Sequence, residues 1–241
     1  MDKAVTKWLE QIAKEELDPN DVERSLRYAR DLEQGLAKIR TFAQGVSIFG
    51  SARLAPESKY CKLATELGRK LAENGHPVIT GGGPGIMEAA NKGCYEAGGR
   101  SIGLNIELAH EQHINPYVTD SMEFRYFFAR KVMLTFASKT YVFFPGGFGT
   151  MDEFSEILIL MQEGKMPKMP MFLIGKSFWK GLDKWYAEKM ERQLKTIAKD
   201  DRKIYTITDD IDKVVEAANR VGHPSIYDNI YNNFSTKKSS L

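Results

Sequence analysis

The stretch "YVFFPGGFGTMDEFSEI", Tyr141 to Ile157, runs four β-prone residues into a Pro-Gly-Gly-Phe-Gly-Thr turn and then into an acidic helical segment. Strand, glycine turn and helix in that order form the repeating unit of a parallel α/β sheet, with the turn at the carboxyl edge of the strand. The same unit recurs upstream. "GVSIFGSAR" (Gly45 to Arg53) reads as strand and loop, Glu57 to Asn74 as a helix ended by Gly75, and "HPVITGGGPG" (His76 to Gly85) as a second strand entering glycines. A helix over Ile86 to Ala97 and a third strand, "GRSIGLNI" (Gly99 to Ile106), follow. Leu108 to Asp120 is a polar connection, and Ser121 to Ala137 has helical spacing through Phe124, Phe127, Phe128, Val132 and Leu134. Downstream of Tyr141 the pattern predicts a helix over Met151 to Glu163, a strand over Met169 to Gly175 and a helix over about Phe178 to Gln193. A strand over Ile204 to Asp209 and a helix over Asp210 to Val221 complete it. Short strands apolar on both faces, alternating with amphipathic helices, predict an α/β fold: a Rossmann-like doubly wound parallel sheet with helices on both faces.

Before this core, Val5, Trp8, Leu9 and Ile12, then Leu26, Ala29, Leu32, Leu36 and Ile39, recur at helical spacing, with a break at Asp18-Pro19-Asn20-Asp21. The expected organisation is a helical extension over 1–44, the Rossmann-like domain over 45–222 and a tail over 223–241. With 34 Lys+Arg against 32 Asp+Glu in 241 residues, the net charge of +2 gives no global attraction to nucleic acid or to an acidic membrane. No apolar run is long enough for a membrane helix, and the charged N-terminus lacks the apolar core of a signal peptide. Cys61 and Cys94, the two cysteines, offer neither a metal spacing nor a disulfide framework, and the expected setting is reducing and cytoplasmic.

Three glycine-bearing turns follow strands and should share one sheet edge: "FGSAR" with Gly50 and Ser51, "TGGGPG" with Gly81, Gly82 and Gly83, and "FPGGFGT" with Gly146, Gly147, Gly149 and Thr150. Glycines let backbone N–H groups approach an anion, and a helix N-terminus adds unpaired donors and a positive dipole end, so the set suits a phosphate. No G-x-x-x-x-G-K-[ST] is present, and the second strand ends Ile79-Thr80 without the carboxylate of a dinucleotide site. Glu153, expected on the first turn of the helix after Gly149-Thr150, is an odd charge there for pure anion binding. Its plainer role would be to favour the helix dipole. Arg130-Lys131 interrupts an apolar helix, either as an exposed face with a snorkelling stem or as a phosphate anchor opposite the glycine turn. His110 and His113 lie three apart in a polar loop with no third ligand, and no metal is expected.

"GGGPGIMEAAN" and "PGGFGTMDE", with Arg130-Lys131 between them, resemble the LONELY GUY (LOG) family, often labelled "putative lysine decarboxylase". Its hallmark P-G-G-x-G-T-x-x-E is met by Pro145, Gly146, Gly147, Gly149, Thr150 and Glu153, and the long connection "SIGLNIELAHEQHINPY" resembles the larger bacterial branch. The resemblance implies a nucleoside 5'-monophosphate phosphoribohydrolase that releases free base and ribose 5-phosphate from AMP or a cytokinin riboside monophosphate. It implies Arg130 and Glu153 as the catalytic pair and the glycine loop with Thr150 as the phosphate cradle; the residue chemistry adds Lys131 as supporting charge. It also implies a homodimer whose neighbouring subunit helps complete each site, and no cofactor. Decarboxylation would need pyridoxal phosphate on a lysine, and no lysine context here suggests one. A carrier of a nucleotide or of molybdenum cofactor, which binds without cleaving, is the alternative within the superfamily.

Overall fold

The computed structural model describes residues 19–39, 45–107 and 114–221. The readings made for residues 1–18, for the tail and for His110 and His113 lie outside them. Among the described residues, seven strands form one sheet: β1 (Gly45–Phe49), β2 (Val78–Thr80), β3 (Ser101–Ile106), β4 (Asp120–Phe124), β5 (Ser138–Phe143), β6 (Met171–Ile174) and β7 (Thr206–Thr208). Their order is β4-β3-β2-β1-β5-β6-β7, every pairing parallel. The helices are α1 (Pro19–Ile39), α2 (Lys59–Glu73), α3 (Ile86–Glu96), α4 (Phe127–Phe136), α5 (Phe148–Gln162), α6 (Lys176–Trp185) and α7 (Asp212–Arg220), with α6 continuing as a π-helix over Tyr186–Gln193. The sheet is thus the doubly wound, Rossmann-like arrangement expected.

The period-two pattern of the strands explains why helices cover both faces. Tyr141 and Phe143 of β5, with Met171 and Leu173 of β6, join the core beneath α4 and α5. The intervening Val142, Phe144, Phe172 and Ile174 join the core beneath α2, α3 and α7. On that second face α2 and α3 approach closely: a Cβ on Gly93 would lie 1.8 Å from the carbonyl oxygen of Thr65. The described part of the helical preface packs on the first face, where Ile39 enters the core with Met133 and Leu134. Tyr28 meets Tyr126 edge-on at 4.4 Å.

Three boundaries differ from expectation. Ser121 does not start a helix, because Asp120–Phe124 is strand β4 at the sheet edge, and α4 begins at Phe127. Ser121 and Glu123 are exposed while Phe124 is buried, the one-sided pattern of an edge strand. The helix after the Pro145 turn starts inside the glycines, at Phe148, with Gly147 as its N-cap. The third difference is the π-helical turn that continues α6. Among the described residues, no helix is long and apolar enough to cross a membrane.

Candidate active site

Chain order along the sheet reverses between β1 and β5: the chain first steps outward through β2, β3 and β4, then returns to place β5 on the other side of β1. In such sheets the loops after the two strands at the reversal separate and leave a crevice at the carboxyl edge. The glycine loops that follow β1, β2 and β5 all lie at this edge, because all three strands are parallel. Two backbone bonds tie them together: Ser51 N–H donates to the carbonyl of Pro145 (3.0 Å), and Ile86 N–H donates to the carbonyl of Ser51 (3.0 Å). Ser51 Oγ accepts from Arg53 N–H at 3.0 Å, so its side chain caps its own loop. Gly50 packs against Ile86, the first residue of α3.

The turn after β5 is built around Gly146. A Cβ there would lie 2.1 Å from Thr150 Oγ1, so the close return of buried Thr150 requires glycine. Gly147 and Gly149 face open space and are exposed, and Phe148 between them is 95% exposed. No side chain caps the N-terminus of α5. Its first-turn N–H groups have no intrahelical acceptor, and the positive end of the dipole points into the crevice.

Glu153 lies beyond that first turn, which contains no acidic residue. The helix-dipole explanation for this carboxylate falls away, since that effect fades within one turn. Glu153 is partly buried, and burial pushes its carboxyl up to about 7, against the opposing pull of the Arg130 charge. Burial likewise lowers Arg130 from its ordinary value, and Glu153 holds it up. Each group is thus a principal electrostatic neighbour of the other. Arg130 Nε donates to the carbonyl of Leu104 at 2.7 Å, which anchors the side chain from α4 to strand β3. Its Nη2 stands over the backbone of Gly81: a Cβ on Gly81 would be 2.2 Å away. The structure therefore brings together Gly81 from the β2 loop, Arg130 from α4 and Glu153 from α5.

Lys131, expected as a supporting charge, is held by two carboxylates of α5. Its Nζ lies 2.9 Å from Asp152 Oδ2 and 3.0 Å from Glu156 Oε2, so its charge ties α4 to α5 and is already balanced by two carboxylates. Sequence reasoning also missed three residues behind the Gly81–Gly83 loop, Thr80, Asn91 and Asn115, which are buried and bonded to it or to one another. Asn91 stood inside the quoted "GGGPGIMEAAN" and Asn115 inside the polar connection, but nothing in their spacing indicates that they meet. Among the described residues no group of three His, Cys, Asp or Glu side chains is placed to hold a metal.

The fold and this crevice define a Rossmann-like α/β protein with a basic–acidic pair beside a glycine-built helix N-terminus. The sequence family described as "Possible lysine decarboxylase" matches residues 87–218, more than half of the chain, and the chain belongs to this family, the LOG family. A cytokinin riboside 5'-monophosphate phosphoribohydrolase of Rhodococcoides fascians is 25% identical over 154 residues, covering 61% of this chain and 75% of that protein. The cytokinin riboside 5'-monophosphate phosphoribohydrolase LOG of Oryza sativa subsp. japonica is 28% identical over 127 residues, 52% of each chain. An uncharacterised protein of Archaeoglobus fulgidus is 32% identical over 105 residues, 43% of this chain and 66% of that one. The chain thus spans about half to three quarters of the length of these relatives. Among solved structures, the molybdenum cofactor carrier protein of Chlamydomonas reinhardtii superposes with a TM-score of 0.55 at 22% identity, covering 74% of this chain and 97% of that one, a likeness of fold.

Proposed function

We propose that the protein hydrolyses the N-glycosidic bond of a nucleoside 5'-monophosphate, AMP by default or a cytokinin riboside monophosphate, to free base and ribose 5-phosphate. The observation that carries the reading is the Arg130–Glu153 pair beside the Gly146–Thr150 turn, with the carboxyl titrating at about 7. The 5'-phosphate occupies the open N-terminus of α5, where backbone donors and the helix dipole receive it. The ribose then lies towards Glu153. As the bond to the base lengthens, positive charge grows on the anomeric carbon and ring oxygen, and the ionised carboxylate stabilises it and takes a proton from the attacking water. The C–O bond to water forms, the C–N bond breaks with its electron pair going to the base, and the departing nitrogen takes up a proton. Arg130 stays charged and positions the carboxylate and the sugar phosphate.

The family relationship supports the reaction class, since relatives from a bacterium and a plant carry the name of this activity. A carrier that binds a nucleotide or molybdenum cofactor without cleaving it would need the cradle but not a partly buried carboxyl tuned to neutral pH. We assign the working unit as a cytoplasmic homodimer. Phe148 at the tip of the cradle and Phe127 and Phe128 at the start of α4 are exposed apolar side chains, which a second copy of the chain would cover. Incubation with a panel of nucleoside monophosphates, with chromatographic detection of free base, tests the reaction. Release of base supports it, and recovery of every nucleotide intact refutes it.

A further inference from the structure

Thr80, Asn91, Ser101 and Asn115 are buried behind the Gly81–Gly83 loop and form a connected hydrogen-bond network. Gly82 N–H donates to Thr80 Oγ1 at 2.9 Å, and the Thr80 hydroxyl donates to Asn91 Oδ1 at 2.6 Å. Asn91 Nδ2 donates to Ser101 Oγ at 2.8 Å. Asn115 Nδ2 lies 3.1 Å from the carbonyl oxygens of both Gly82 and Gly83 and 3.0 Å from Asn91 Oδ1. The backbone N–H of Asn115 also donates to the Gly82 carbonyl at 2.8 Å, and Asn115 Oδ1 accepts from Tyr117 N–H at 3.2 Å. A buried polar network is costly unless it is complete, and this one gives each of its side-chain amides a partner.

What the network acts on is the orientation of the loop. An anion site works by presenting N–H donors, and a carbonyl oxygen facing the ligand opposes it with the wrong partial charge. Asn115, itself buried, holds two consecutive carbonyls of this loop from the protein interior. The same loop begins at Gly81, whose Cα is the surface on which the Arg130 guanidinium rests. We infer that Asn115, held in place by Asn91, is a positioning residue for the Arg130–Glu153 site: by tying the Gly82 and Gly83 carbonyls inward it sets where Gly81 stands, and through Gly81 where Arg130 stands. Its own hydrogen bonds go to the loop, to Asn91 and to Tyr117, none to Arg130 or Glu153. The catalytic consequence rests on the hydrolase reading; the effect on Arg130 does not.

The test is a carbon-13 titration of the Glu153 carboxyl in the wild-type protein, in Asn115→Ala, in Arg130→Ala and in the double variant, alongside kcat and KM. Arg130 holds the Glu153 midpoint down, so Asn115→Ala is expected to raise it, and to raise it no further once Arg130 is gone. The kcat falls about a hundredfold for an ångström-scale displacement, with KM moving much less. A folded Asn115→Ala protein whose Glu153 midpoint is unmoved, or a double variant with fully additive shifts, overturns the inference. Should Asn115→Ala fail to fold, Asn115→Ser decides: it keeps a polar side chain in the network but is too short to hold the Gly82 and Gly83 carbonyls as the amide does, and an unmoved Glu153 midpoint in it is equally fatal. The titration needs no turnover, so a wild-type protein that releases no base refutes the hydrolase reading and leaves this inference to stand or fall on the carboxyl alone.

Discussion

Nη2 of Arg130 lies so close over Gly81 that an added Cβ would come within 2.2 Å of it. The arginine of α4 and the glycine of the β2 loop therefore share one space, and neither position is independent of the other. Gly81→Ala places a methyl there and also crowds Met87 Sδ at 2.8 Å. The expected outcome is a folded protein whose kcat for base release drops about tenfold or more, the usual result of moving a charge at a reacting centre. Steady-state kinetics beside a thermal melt checks it.

The dependence of rate on pH follows from the burial of Glu153. If the ionised carboxylate is the working form, kcat/KM rises as pH increases through about 7 and levels off above it. Removing the opposing cation in Arg130→Ala moves this limb to higher pH, because the Arg130 charge is what lowers Glu153. A limb that stays in place belongs instead to the second ionisation of the substrate phosphate, near about 6.

Stability responds to the same group with a definite sign. The native carboxyl of Glu153 titrates at about 7 against an ordinary value of 4.5, so between those limits the folded state holds a proton that the unfolded state has lost. The stability it contributes is complete below about 4.5, declines as pH rises towards about 7, and is gone above that, a change of roughly 3 kcal/mol. Glu153→Gln removes the dependence. The difference in unfolding free energy between variant and wild type is expected to shift in favour of the variant between pH 5 and pH 8, as measured by urea unfolding at each pH.

Lys131 separates a structural cation from a phosphate anchor. With Asp152 and Glu156 both bonded to it, Lys131→Ala is expected to lower stability by about 1 kcal/mol or less and to leave KM nearly unchanged. A large rise in KM that steepens with salt would instead assign it to the phosphate.

The alternation of strands and helices was legible in the sequence because the inner strands are apolar on both faces, as Tyr141 and Val142 show by facing opposite cores. Edge strand β4 was not. With charged or polar residues on one side and Phe124 close to Phe127 and Phe128, its short alternation is outweighed by the helical spacing that follows. Glu153 and Arg130 were found through a motif, but their electrostatic coupling depends on α4 and α5 lying side by side over the sheet. Asn91 and Asn115 were invisible as a pair for the same reason: a side-chain hydrogen bond between a helix and a loop that meet only in the fold joins residues with no spacing rule between them.

Phe148 tests the assembly. Its 95% exposure at the cradle is what a second chain would remove, so Phe148→Asp is expected to weaken the proposed dimer in sedimentation and to reduce activity with it. A monomeric and fully active wild-type protein would contradict that arrangement.

The most direct measurement is release of adenine and ribose 5-phosphate from AMP by the wild-type protein and by Glu153→Gln, followed by chromatography under single-turnover conditions. The account predicts equimolar products from the wild type and a loss of at least about a hundredfold in the variant, with AMP still bound. Equal rates in the two proteins, or AMP recovered intact from both, would contradict it.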